Sequence, residues 1–577
     1  MSEPIDDMEE MQMDVPDESG MVQGDDGSLT IQLEDAPKPQ DDGDFAANLV
    51  GTLDQGDVMN AALDLIELVE DDKNAREPRD KQYEEGLKRT GLGKDAPGGA
   101  DIPGASMAVH PVMLKAAIDF AAGAMREIFP PDGPCKQKII PEATRERQEK
   151  AERIEKYVNW QTTVGCPEFR DELERMLSQV PLGGSQYFKG WWDSGLRRPV
   201  FGFIPIDDIY LPRTANSFFG SHRVTHRQVI TQATFDKRVQ SGMYAEGLYS
   251  QAAQQIEQSK AKVANDKIEG VTETGSDIEP EREIYEVYCR WSFEGDALTG
   301  GAEAPYIVTI DVTSQTVLSI YRNWDADERA RKYGDDKDAP FETIHRIIEF
   351  PFIPWRGAYA AGLPQMIGSL SGALTGIIRA LLDSGHINNM PTLMTFKDVN
   401  LVGQTQSLGI TQVNQFQAPA ALTAGGPLSI GNLIAPIPFN PPSPVLLELL
   451  GRLEQEAGGL ISASDDKIAD SPANAPVGTV QAIIEQGARV KSAIHARLHH
   501  SMQRVLDLLF RLNRNHLSDR ETVAELGDLI VSRQDFEGPM DVVPVSDPNI
   551  FSETQRMAQN QSVMALSTQA PDLYVQR

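Results

Sequence analysis

The chain has 577 residues, 40% of them hydrophobic, and a mean hydropathy of −0.35, which suits a soluble molecule of three or more structural regions. Its net charge of −33 is uneven: residues 1–72 hold 22 of the 86 acidic residues and one of the 53 basic ones, Lys38, leaving 64 acids against 52 bases elsewhere. No dense basic run is present, which argues against tight duplex binding through many Lys/Arg–phosphate contacts. Cys135, Cys166 and Cys289 are too few and too scattered for a disulfide framework, and the acidic N-terminus lacks a secretory pattern.

Taken in order, residues 1–45 read as a disordered acidic tail. Met59, Leu63, Ile66 and Val69 predict a short amphipathic helix over 57–72, and 91–109 reads as loop. The GLGK at 91–94 lacks the first glycine of a phosphate loop, because position 88 is Lys. Helices are predicted at 111–128, 143–163 and 168–180, followed by strands within 186–212. Helical segments are expected again at 228–241 and 245–263, then a polar linker at 265–280. A strand at 283–293 and a hairpin at 305–323 turning on TSQ come next, then a charged loop at 324–342 and a strand at 344–350.

The stretch 357–378 is uncharged, but Pro364, Gln365 and its Gly, Ser and Thr residues make it a packed soluble helix and not a membrane span. Leu363, Ile367, Leu370, Leu374, Ile377 and Leu381 give the helix over 363–386 one apolar stripe. Gly368, Gly372 and Gly376 recur beside it at intervals of four. Each weakens the helix by about 1 kcal/mol relative to Ala, so another backbone should approach that side, within the subunit or from a neighbour. Residues 391–441 read as short strands and loops, and PPSPVLLELLGRLEQEAGG at 441–459 as a helix with its own start and stop signals. The polar loop that follows leads into a very long helix over 479–516, with Gly487 a candidate kink. Beyond it come a short helix at 520–527, strands around 529–544 and a helix from Ser552.

No catalytic set, cofactor motif or metal-ligand spacing emerges. His495 and His499 lack the Glu of HExxH, and His222 and His226 suit a structural junction. The carboxylate pair Asp465–Asp466 has no accompanying base or nucleophile, and reads as a solvated, contact-making loop. Long helices, a β insertion and a projecting loop favour an assembly component over an enzyme.

FPPDGPCK (129–136), GGSQYFKGWWD (183–193), SHRVTHR (221–227), YIVTIDVTSQTVLSIYRNW (306–324), GLPQMIGSLSGALTGIIRALLDSGHINNMPT (362–392) and VVPVSDPNIFSETQR (542–556) follow one another along the chain. In these stretches and their order, over residues 55–577, it resembles the portal proteins (head-to-tail connectors) of short-tailed bacteriophages. The resemblance implies an α+β, mainly helical subunit of a ring, twelve copies in most members, at one capsid vertex. Such a ring is assembled in the host cytoplasm, beside major capsid or scaffold protein. It carries double-stranded DNA non-specifically during packaging and ejection, and docks terminase and tail or adaptor proteins. Family regions then fall at 46–360 (wing), 361–388 (first stem helix), 389–441 (clip), 442–458 (second stem helix), 459–478 (tunnel loop), 479–516 (long wing helix) and 517–577 (a crown that related sequences extend further). Ser464, Asp465, Asp466, Lys467, Asp470 and Asn474 would line the channel, and Gly368, Gly372 and Gly376 would pack subunits together. No cofactor, metal or membrane insertion is implied. Another virion protein, such as a head–tail adaptor or capsid component without a channel role, is the alternative.

Overall fold

The computed structural model describes residues 44–93, 105–139, 145–247, 256–271, 280–389, 443–461 and 477–536, less a few single positions, and short strands outside them. Its helices are α1 (Gln55–Lys88), α2 (Val112–Ile128), α3 (Arg145–Trp160), α4 (Pro167–Gly183), α5 (Gln232–Gln240), α6 (Lys260–Glu269), α7 (Ala326–Tyr333), α8 (Leu363–Asn389), α9 (Pro444–Ile461) and α10 (Val477–His516). Its strands are β1 (Met21–Gln23), β2 (Leu29–Ile31), β3 (Gln137–Ile139), β4 (Ser185–Asp193), β5 (Arg198–Ile204), β6 (Ile209–Tyr210), β7 (Arg223–Thr231), β8 (Glu281–Trp291), β9 (Ala304–Asp311), β10 (Thr316–Arg322) and β11 (Ile347–Pro351). Further along are β12 (Leu393–Thr395), β13 (Asn400–Leu401), β14 (Phe416–Gln417), β15 (Ile434–Pro436), β16 (Glu521–Val523), β17 (Leu529–Val531) and β18 (Val542–Pro544). The fold is α+β.

Strands β6 to β10 form an antiparallel meander, each paired with its sequence neighbour. Strand alternation decides its faces. On β8, Tyr285, Val287 and Cys289 join the core under α1, whereas Ile284 turns to Phe235 of α5 and to Tyr244. Helix α1 begins where the Asp54 side chain accepts the Gly56 N–H, and lays Val58, Ala61, Ala62, Leu65 and Val69 in that core. It does not stop at residue 72 as the apolar pattern predicts, but runs through Pro78 for 34 residues. The second half is held by the ion pairs Glu77–Lys81 (2.9 Å) and Glu84–Lys88 (2.8 Å), and by arginines that reach into the body.

A second sheet has the order β11-β4-β5. Helices α4 and α10 pack on it around Phe169, Phe188, Phe201 and Phe350. The two sheets are joined by charge: Lys189 of β4 and His226 of β7 both meet Glu286 of β8. Burial opposes that carboxylate's charge, yet Lys189 and His226 hold it below the ordinary range.

Four further expectations are corrected. Residues 223–231 are strand, and the helix starts only at Gln232, capped by Thr231. The alternating buried positions of β7 are Arg223, Thr225 and Arg227, and Asp72 and Glu283 meet the two arginines, so hydropathy hides the strand. The predicted helix at 245–263 appears as α6, further along; its described N-cap is Ser259. The charged loop at 324–342 contains α7, which buries none of its residues and is tied to α10 by Arg511 on Glu328 and Arg514 on Asp325. Residues 520–527 are strand β16 and a 3-10 turn, not an ordinary helix.

Near the C-terminus, β18 pairs with β3, and Phe536 meets Phe510 and Tyr157 edge-on (ring centroids 5.4 and 6.2 Å). The described part of 517–544 is therefore packed on the body helices. Helix α10 runs unbroken through Gly487.

Candidate functional site

Helices α8 and α9 pack on one another and on α2. One side of α8 is fixed in the core by Leu363, Ile367 and Leu374. Gly368, Ser371 and Thr375 are buried on the same side, whereas Met366, Ser369, Gly372, Ala373, Gly376, Ala380 and Leu382 are exposed, and only 28% of its most apolar window is buried. The expected packed helix is thus packed on one face and open on the other, and by length and composition it could cross a membrane. On α9, Val445 and Leu447 are 67% and 65% exposed.

The glycine row divides. A Cβ on Gly368 would stand 2.8 Å from Arg89 Nη1, so its close neighbour is the end of α1 in the same subunit. One turn earlier, a Cβ on Gly86 would meet the Pro364 ring at 2.3 Å. For a Cβ on Gly372 or Gly376, by contrast, no atom of the described residues lies within 4 Å. Both the intramolecular and the open outcome therefore occur along one seam.

Residues 105–110, read from sequence as plain loop, are a strap on α8. Asp383 Oδ1 accepts from Ser106 N (2.6 Å), Arg379 Nε donates to Ala108 O (2.9 Å), and Thr375 Oγ1 accepts from His110 N (3.2 Å). Helix partners four residues apart lie about 6 Å apart, and strap partners two apart in extended chain about 6.6 Å. The two spacings match for a chain laid antiparallel to the helix. His110 Nε2 then reaches Glu454 Oε1 of α9 at 2.7 Å, so the strap spans both helices.

The expected channel residues Ser464, Asp465, Asp466, Lys467, Asp470 and Asn474 lie outside the described residues, as does most of 390–442. Helix α9 extends to Ile461 and α10 begins at Val477, and the residues between them lie outside the described ones. Gly91 and Gly93 of the GLGK stretch take φ of 78° and turn the chain after α1, with Gly93 against the Lys267 carbonyl. His226 is a buried partner of Glu286, pushed below its ordinary value by burial against the pull of that carboxylate. Among the described residues no group of three His, Cys, Asp or Glu side chains is placed to hold a metal.

A carboxyl perturbed in the opposite sense to Glu286 is Glu349 of β11. Burial pushes it up to about 7, against the Ser185 hydrogen bond and the fields of Arg504 and Arg79. Ser185 relays between elements: its Oγ accepts the Ala360 N–H at 2.9 Å and donates to Glu349 Oε1 at 2.7 Å. Its contacts join β4, β11, α10 and the loop before α8.

Compared with known protein families and with curated protein sequences, the chain matches none.

Proposed function

We propose that the chain is a portal subunit, one copy of a ring of about twelve members through which double-stranded DNA enters and leaves a capsid, and on which terminase and tail or adaptor proteins dock. The observation that carries the reading is α8: a 27-residue helix fixed on one face, with Gly372 and Gly376 facing open space beside exposed apolar side chains. Glycines at helical spacing weaken a helix unless a neighbouring backbone uses the room they leave. A ring is a repeated heterologous contact, in which one open face always meets a different face of the next copy. A bilayer is a poorer occupant, because Gln365 and Ser369 stand on the open side and the charged Arg379 and Asp383 hold the strap. In the sequence, the polar 462–476 segment lies between α9 and α10, and its composition suits residues that line an axial channel.

Mass measurement of the purified chain with negative-stain imaging tests the proposal. A closed ring is expected, and a monomer at every concentration and salt tried would overturn it. The double variant Gly372→Leu, Gly376→Leu should not lower the monomer's Tm, since a Cβ at either position meets no described residue and Leu favours a helix over Gly, and should abolish the ring. A ring found away from the DNA-entry vertex would favour an adaptor or capsid component.

A further inference from the structure

Trp355 is 79% exposed, more than any other large apolar side chain among the described residues. It does not sit on a slack loop. Ile353 and Ala361 exchange backbone hydrogen bonds of 3.3 and 2.7 Å across its stem. Arg79 Nη2 donates to Ala360 O at 2.7 Å, Arg497 Nη1 donates to Phe352 O at 2.9 Å, and Leu211 N donates to the Tyr359 hydroxyl at 3.0 Å. Gly184, at φ +81°, lets the stem come closer than any side chain would allow, since a Cβ there would be 2.3 Å from Ala360 O. Elements α1, α4, α10 and the β6 end thus fix the stem, while Pro354, Trp355, Arg356 and Gly357 at the tip are all exposed.

A rigid mount for an indole in water is pre-organisation for binding: the loop has little freedom left to lose. An indole offers about 150–250 Å² to cover, and Trp and Arg are the side chains most enriched at interface hot spots. The size of the neighbouring face says what covers it. The open side of α8, about 40 Å long and roughly 10 Å wide, gives some 400 Å², about half of the roughly 800 Å² per partner that a stable contact needs. The Trp355 loop runs directly into α8 two residues after the stem closes, so its exposed tip lies next to the N-terminal end of that helix and can add to the area it offers.

We propose that Trp355, with Arg356 beside it, is the anchor by which one copy of this chain holds the next. The inference rests on the reading of α8 as a self-association face. The test is dilution of wild type, Trp355→Ala and Trp355→Phe, followed by mass measurement, with acrylamide quenching of the fluorescence difference between wild type and the Phe variant. The concentration at which the assembly falls apart should rise at least tenfold for Trp355→Ala and less for Trp355→Phe. Monomer Tm should be unchanged, because the ring is in water in the free subunit. The Trp355 emission should be shielded from quencher in the assembly and open to it in the monomer. Equal dissociation of all three proteins would overturn the proposal, as would an assembled wild type whose Trp355 is still quenched as in the monomer; the second result would leave a different protein as the occupant. A wild type that never assembles would instead sink the α8 reading itself.

Discussion

Replacing Glu349 with Gln should remove a pH effect on stability. In the fold, burial raises this carboxyl from its ordinary 4.5 to about 7. The folded chain therefore holds a proton that the unfolded chain releases between those values. Stability from this group is complete below about pH 4.5 and is lost as pH rises through about 7, with a slope of up to about 1.4 kcal/mol per pH unit. The full swing is on the order of 3 kcal/mol. Gln cannot ionise, and its amide oxygen can still accept from the Ser185 hydroxyl. At pH 8 Glu349→Gln should therefore be more stable than wild type by up to about 3 kcal/mol, and at pH 5 the gap should shrink to about 1 kcal/mol or less. Asp208 (pushed to about 7) and Asp507 (to about 6) share the sign of this trend. His226, His345 and His516, all lowered, oppose it. These groups are common to both proteins and cancel in the difference. Urea midpoints of variant and wild type measured in parallel from pH 5 to 8 give that difference directly. A gap that stays constant over the range would refute the argument, because it would mean that Glu349 titrates alike in both states.

Two other substitutions probe the scaffold. Gly184→Ala adds strain at positive φ to a collision with the Ala360 carbonyl, which Arg79 also holds, whereas Gly270→Ala, at φ +76° with nothing within 4 Å, adds strain alone. The second should lose about 1–2 kcal/mol, and thermal melts should show a drop several times larger for the first. Arg322→Met leaves the fully buried Asp296 carboxylate without its cation; the expected loss is about 3–5 kcal/mol in urea unfolding, and adding Asp296→Asn should recover part of it.

What could be read from sequence, and what could not, follows one physical line. Helices α8, α9 and α10 and the β9–β10 hairpin announce themselves because apolar side chains recur at the period of the element, between Gly and Pro boundaries. Strand β7, the second half of α1 and helix α7 do not, because what they bury or bind is charged and its partner is distant in sequence. Arg223 meets Asp72 across 151 positions, and Arg514 meets Asp325 across 189. The glycine row of α8 was visible as a row, but not its division, since nothing in the spacing tells that Gly368 faces Arg89 while Gly372 and Gly376 face open space. The strap over 105–110 is fastened by backbone groups, which every sequence possesses, so no pattern marks it.

The inward use of arginine also bears on how such a subunit would treat DNA. Arg76 donates to the carbonyls of Ile206, Asp207 and Ile209; Arg79 to those of Gly183 and Ala360; Arg223, Arg282 and Arg322 to Asp72, Asp311 and Asp296. Arg497, Arg511 and Arg514 on α10 are likewise committed to the loop before α8 and to the start of α7. A guanidinium bound to an internal acceptor cannot displace counterions from a phosphate backbone. The body outside the acidic N-terminal stretch has only a small excess of acids by composition, and these arginines, most of them paired with a carboxylate of the same subunit, are committed within it. Each phosphate contact that is not made is affinity that does not have to be broken when the duplex moves. A wall of this kind supports a conduit that lets DNA slide, whereas a clamp would need the same arginines turned outward.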